Sequence, residues 1–201
     1  MTKRVIIGLL VLSLAVSGVA HGGGPAARSA IDGSWQTGCL PIGKNGRHGF
    51  VTRLEIKLGR MAASSQIYAH STCDAPTVHT EYRGRIVSER SAGEGITDFD
   101  HDVEAITTTA DAPDVVTIYN AGNPGSGCGL GGGWQLGVAR PVDGRTCAPW
   151  TFPTAGTRLY ERAWVAGDEL RIGSFPSVWA NIAPDKRPTA PGLLVFHRVT
   201  G

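Results

Sequence analysis

Phe50-Val51-Thr52-Arg53-Leu54-Glu55-Ile56-Lys57-Leu58 alternates without a fault: its even positions are apolar or Thr, and most of its odd positions are charged. Val78-His79-Thr80-Glu81-Tyr82-Arg83-Gly84-Arg85-Ile86 repeats the pattern, with the charges again confined to one face. A period of two sends successive side chains to opposite faces of a strand, one toward a core and one toward water. Strands of this kind pair antiparallel, with one face wet and one dry. The chain therefore reads as mostly antiparallel β.

Working outward, candidate strands fall at short intervals: 34–40, 50–58, 62–68, 78–87, 97–107, 115–119, 134–139, 158–164, 169–173 and 193–199. Turn residues separate them, as in Gly43-Lys44-Asn45-Gly46, Ala92-Gly93-Glu94-Gly95 and Ala166-Gly167-Asp168. About ten short strands with no helical periodicity after the leader predict a barrel or a sandwich. Two longer loops, 120–133 and 175–192, hold much of the Gly and Pro and are where a binding surface is expected.

Residues 1–20 read as a secretory signal peptide. Lys3 and Arg4 precede an apolar run from Val5 to Val19, and Gly18-Val19-Ala20 offers a small-residue cleavage site. That run is short for a membrane span, so no span is expected once the signal is removed. Residues 21–30 are rich in Gly, Ala and Pro and read as a flexible linker, and 31–201 as a single β domain. The chain carries 19 basic and 17 acidic residues, and removal of Lys3 and Arg4 leaves the two signs equal. Near neutrality, with no basic stripe, argues against a nucleic-acid partner. The expected location is secreted or periplasmic.

Cys39, Cys73, Cys128 and Cys147 are an even set in an exported chain, which reads as two disulfides. Three pairings are open. Cys39–Cys73 and Cys128–Cys147 join neighbours in a meander and are the ones expected. Loops of about 20–35 residues contribute roughly 3–4 kcal/mol each in the chain-entropy account. No two cysteines have zinc-finger spacing, so no metal is expected.

Motifs that would define a reaction fail their structural tests. Gly127-x-Gly129-x-x-Gly132 matches a dinucleotide fingerprint in letters, but a strand-like segment follows it where a helix is required. No phosphate loop, nucleophile elbow or H-E-x-x-H is present, and no cofactor is expected. Asp98-Phe99-Asp100-His101-Asp102-Val103-Glu104-Ala105 puts four acids on one face, to pair with bases such as Arg83 and Arg85, and turns Phe99 and His101 inward with Val103. His101, Tyr82 and Phe99 are thus the candidate ligand-binding residues. Five Trp and four Tyr supply aromatic surface for a core or a pocket.

Gly33-Ser34-Trp35 at the first strand, with Arg198 in the last, resembles the calycins, the lipocalins and their relatives, in exported bacterial form. The T-D-Y motif of lipocalins is missing. The resemblance implies one antiparallel barrel of about eight to ten strands, with Trp35 packed beneath Arg198 at a closed end and Gly33 beside it. It also implies a small apolar or amphipathic ligand in the mouth. Two other readings stand beside it. One is a protein-binding module or inhibitor that meets an exported partner through loops 120–133 and 175–192. The other is a lipocalin-fold enzyme using His101.

Overall fold

The computed structural model describes residues 29–123, 125–148, 150–177 and 179–199. The signal peptide and all but Ser29 and Ala30 of the linker lie outside these. In chain order the elements are β1 (Gly33–Thr37), β2 (Leu40–Ile42), β3 (His48–Lys57), β4 (Arg60–Tyr68), β5 (Pro76–Gly93), β6 (Ile96–Ala110), α1 (Pro113–Asn120), β7 (Arg140–Pro141), β8 (Thr146–Cys147), β9 (Trp150–Thr151), β10 (Arg158–Ala166), β11 (Glu169–Ile172) and β12 (Phe196–Arg198). Strands β1, β3, β4, β5, β6, β10, β11 and β12 pair antiparallel in succession. β1 bonds to β3 on one side and β12 on the other, which closes an eight-stranded antiparallel barrel.

The alternation seen in the sequence sets which side faces in. On β3, Thr52, Leu54 and Ile56 are buried while Arg53, Glu55 and Lys57 are exposed. On β5, Tyr82 and Gly84 turn inward between exposed Glu81, Arg83 and Arg85. The barrel is filled chiefly by Trp35, Leu54, Phe99, Ile106, Leu170, Ile172 and Phe196.

The hairpin turns β3–β4, β5–β6 and β10–β11 mark one end, which Trp35 helps to close. Its indole N–H donates to the Ile31 carbonyl at 2.9 Å, and the Arg198 guanidinium lies 4.0 Å above its ring. Arg198 also donates to the Asp32 carbonyl at 3.0 Å. Gly33, with φ at +144°, has the guanidinium carbon 3.5 Å from where a Cβ would stand, so a side chain there would crowd the stack. The opposite end is covered by the long connections that follow β6 and β11. Disulfide Cys39–Cys73 ties the β1–β2 connection to the β4–β5 connection, and Cys128–Cys147 lies within the connection after β6, with the pairing the sequence predicts.

Outside the barrel, the acids of β6 meet a row of arginines. Asp98 pairs with Arg162 and Arg90, Asp102 with Arg158 and Arg85, and Glu104 with Arg60, while Asp100 accepts from Arg187. These guanidinium contacts hold the carboxyls of Asp98 and Asp102 below the usual carboxylate range. Arg83 is not in the row. A bulge between Arg83 and Gly84 places it opposite Ala105 and leaves Arg85 opposite Asp102.

Two expected strands are not strands. Residues 115–119 lie in α1, where Pro113 opens the helix at a position that needs no N–H. The β-branched residues of Val115-Val116-Thr117-Ile118 favour a strand only weakly, and packing overrides that preference. Val115, Val116 and Tyr119, at helical spacing, pack on the core. The segment 134–139 contributes only one bridge, Leu136 to Ala110. Trp134 is instead folded under the Gly-rich turn around buried Cys128, its ring 4.8 Å from Tyr119.

Candidate functional site

At the loop-covered end, β3, β4, β5 and β6 contribute Phe50, Ile67, Tyr82 and Ile106 to the wall of a small, partly open cavity. The connection after β6 adds Trp150 and Phe152, and the one after β11 adds Phe175 and Trp179. These aromatics form one cluster over the barrel. Ring centroids of Phe175 and Trp179 stand 5.2 and 5.6 Å from Tyr82, and Phe152 lies 5.7 Å from Trp179. The free space beneath them is about 30 Å³, room for about two waters at roughly 10–15 Å³ each.

A larger space lies beside it. A crevice of about 650 Å³ runs between the β2 end of the sheet, α1 and the last connection, lined by Ile42, Val115, Ile118 and Leu194. It shares Phe50, Ile67 and Trp150 with the inner cavity, so these three side chains form a common wall. Its volume lies within the range of small-molecule sites, about 300–1,000 Å³.

The polar groups here are few and mostly paired. Ser65 and Thr80 line the inner cavity, but Ser65 is bonded to Thr52 at 2.9 Å and Thr80 to Thr108 at 3.1 Å. Tyr82 reaches His101 Nδ1 at 2.5 Å. It lies back over Gly84, where a Cβ would come within 2.8 Å of the phenol ring, so the glycine makes room for the bond. Burial pushes the Tyr82 hydroxyl well above its usual range and lowers His101 to about 4, which keeps both groups neutral. His101 Nε2 finds no partner among the described residues, and Phe99 stacks on the imidazole at 5.5 Å.

Of the three candidates named from sequence, Tyr82 lines the cavity. His101 and Phe99 do not, since the imidazole sits behind Tyr82 on its hydroxyl. The fold brings the three side chains together inside the barrel, but only one meets the open space.

The residue the sequence reading missed is Glu161. It faces inward on β10 opposite Phe99 and is 1% exposed. Its carboxyl accepts N–H bonds from Ser174 at 3.2 Å, Phe175 at 3.1 Å and the Asn181 side chain at 2.7 Å. Burial outweighs these donors and pushes its carboxyl up to about 8. Glu161 thus ties down the segment that carries Phe175 and Trp179. Arg187 clamps the same strands from outside, donating to the main-chain oxygens of Phe99 and Glu161. The inward position of a Glu within Leu159-Tyr160-Glu161-Arg162-Ala163 was the signal that could have found it.

Among the described residues no cluster of His, Cys, Asp and Glu could hold a metal ion, and no helix is long and apolar enough to cross a membrane. The chain matches no known family model and no curated protein.

Proposed function

We propose that this protein is an exported, calycin-like carrier that holds a small apolar or amphipathic molecule at the loop-covered end of its barrel. The observation that carries this reading is the wall that Phe50, Ile67 and Trp150 share between the larger crevice and the small aromatic-lined cavity. Movement of the half-buried Trp150 would join the two spaces. Apolar burial, at roughly 25 cal/mol per Å², would drive binding. Two disulfides fit an oxidising compartment, secreted or periplasmic, and the leader-like residues 1–20 supply the route. The Arg198–Trp35 stack at the closed end supports the kinship proposed on Gly33, Trp35 and Arg198. His101 does not face the cavity, so a catalytic reading gains nothing from it.

Native mass spectrometry of protein taken from its own export compartment tests the proposal. A small co-purifying mass that is lost on denaturation, and reduced in a Trp150→Ala variant, is the expected result. A clean unliganded mass, or a mass that corresponds only to a bound protein, refutes it.

A further inference from the structure

We propose that the ligand is a neutral chain molecule whose leading end carries a hydrogen-bond-accepting oxygen, and that the Trp179 indole N–H receives that oxygen. This rests on the carrier reading above and specifies its chemistry.

Three observations point to it. The first is charge. Among the described residues, the inner cavity wall carries no Asp, Glu, Lys, Arg or His, and its one titratable group, Tyr82, is held neutral. A charged head would enter without a counter-ion and lose its hydration. His48 and Asp114, the charge-bearing side chains nearby, line the outer crevice instead.

The second is size. The inner space of about 30 Å³ admits a group of one or two non-hydrogen atoms, while the crevice of about 650 Å³ admits a tail. The molecule is therefore elongated, with its small end inward and its hydrocarbon along Ile42, Val115, Ile118 and Leu194.

The third is the unmet donor. Trp179 lines the cavity, and its indole nitrogen is buried with no acceptor among the described residues. Indole donates and cannot accept, so its complement is an acceptor such as a carbonyl or ether oxygen. Of the other polar side chains on the wall, Ser65, Thr80 and Tyr82 are already engaged with Thr52, Thr108 and His101, and the wall's second indole, on half-buried Trp150, is not among the buried unmet donors. Water can satisfy the indole in the unliganded protein, and a ligand oxygen would take its place.

The test uses the oxidised protein with nitrogen-labelled tryptophan and three probes. These are methyl hexyl ketone, the hydrocarbon in which a methylene group replaces its carbonyl oxygen, and octanoate. The expected result is that the ketone binds about tenfold more tightly than the hydrocarbon and shifts the Trp179 indole N–H resonance downfield. Trp179→Phe should abolish the preference while hydrocarbon binding persists. If that variant does not fold, the ketone-to-hydrocarbon ratio and the indole shift in the unaltered protein decide the matter. Equal binding of ketone and hydrocarbon overturns the head-group assignment and leaves the carrier reading intact. Tightest binding by octanoate overturns the neutrality of the ligand. Failure of all three probes to bind saturably overturns the assignment together with the carrier reading.

Discussion

Raising the pH from about 6.5 to about 8 is expected to weaken the fold by about 2 kcal/mol, through Glu161. Its carboxyl has a folded pKa of about 8 against an ordinary 4.5. The native state therefore holds this proton where the unfolded chain has released it. The stability it contributes is complete below 4.5 and is lost as the pH rises through 8. His101 runs the other way, because its folded pKa of about 4 lies below the ordinary 6.5. Its contribution is complete above 6.5 and is lost as the pH falls through 4. Between about 4.5 and 6.5 the two slopes oppose and cancel. Above 6.5 the Glu161 slope is no longer opposed by His101 and runs at about 1.4 kcal/mol per pH unit, and the interval of about 1.5 units gives the figure. Asp98 and Asp102, held low by their arginines, are ionised in both states over this interval and add nothing. The assay is urea unfolding followed by fluorescence at several pH values, on the native chain and on Glu161→Gln. The glutamine carbonyl can keep the bonds from Phe175 and Asn181, while its amide nitrogen opposes the Ser174 N–H, so the variant is weaker throughout. Its stability should nevertheless be flat from about 6.5 to 8. A flat native profile, or a slope that survives in Glu161→Gln, refutes the reasoning.

Tyr82→Phe removes the hydroxyl that meets His101 Nδ1 and leaves a fully buried imidazole with neither nitrogen paired among the described residues. The expected cost is about 1–3 kcal/mol, read from the shift of the urea midpoint at constant slope. Replacing Cys39 and Cys73 together by serine opens a loop whose ends lie 34 residues apart. The expected cost is about 3–4 kcal/mol, and thermal unfolding with and without reductant should show that the variant no longer responds to reduction at this bridge.

The barrel was legible in the sequence because burial on one face imposes a rule on every second residue, and that rule holds on β3 and β5 whatever the rest of the chain does. The meander and the cysteine pairing followed from neighbours in such a series. The helix at Pro113–Asn120 was hidden because Val115 to Ile118 have strand-like side chains, and only packing against the core settles their conformation. The site was less legible. Trp150, Phe152, Phe175 and Trp179 lie on connections without periodicity, and they meet Tyr82 only once the barrel exists to hold them. His101 faces inward as its alternation implies, but alternation cannot distinguish a side chain that borders open space from one walled in behind a tyrosine. The pairing of Asp102 with Arg85 was within reach. The bulge that removes Arg83 was not, since it depends on register with β6.

The pairing of β1 with β12 has a consequence for how the molecule forms. These are the first and last strands of the sheet, so zipping hairpins one after another cannot finish the cylinder. Until the final strand docks, β1 presents bare amide and carbonyl groups along one side, an edge that another chain can pair with. The seam that Trp35 and Arg198 lock thus covers an edge that would otherwise be open to self-association.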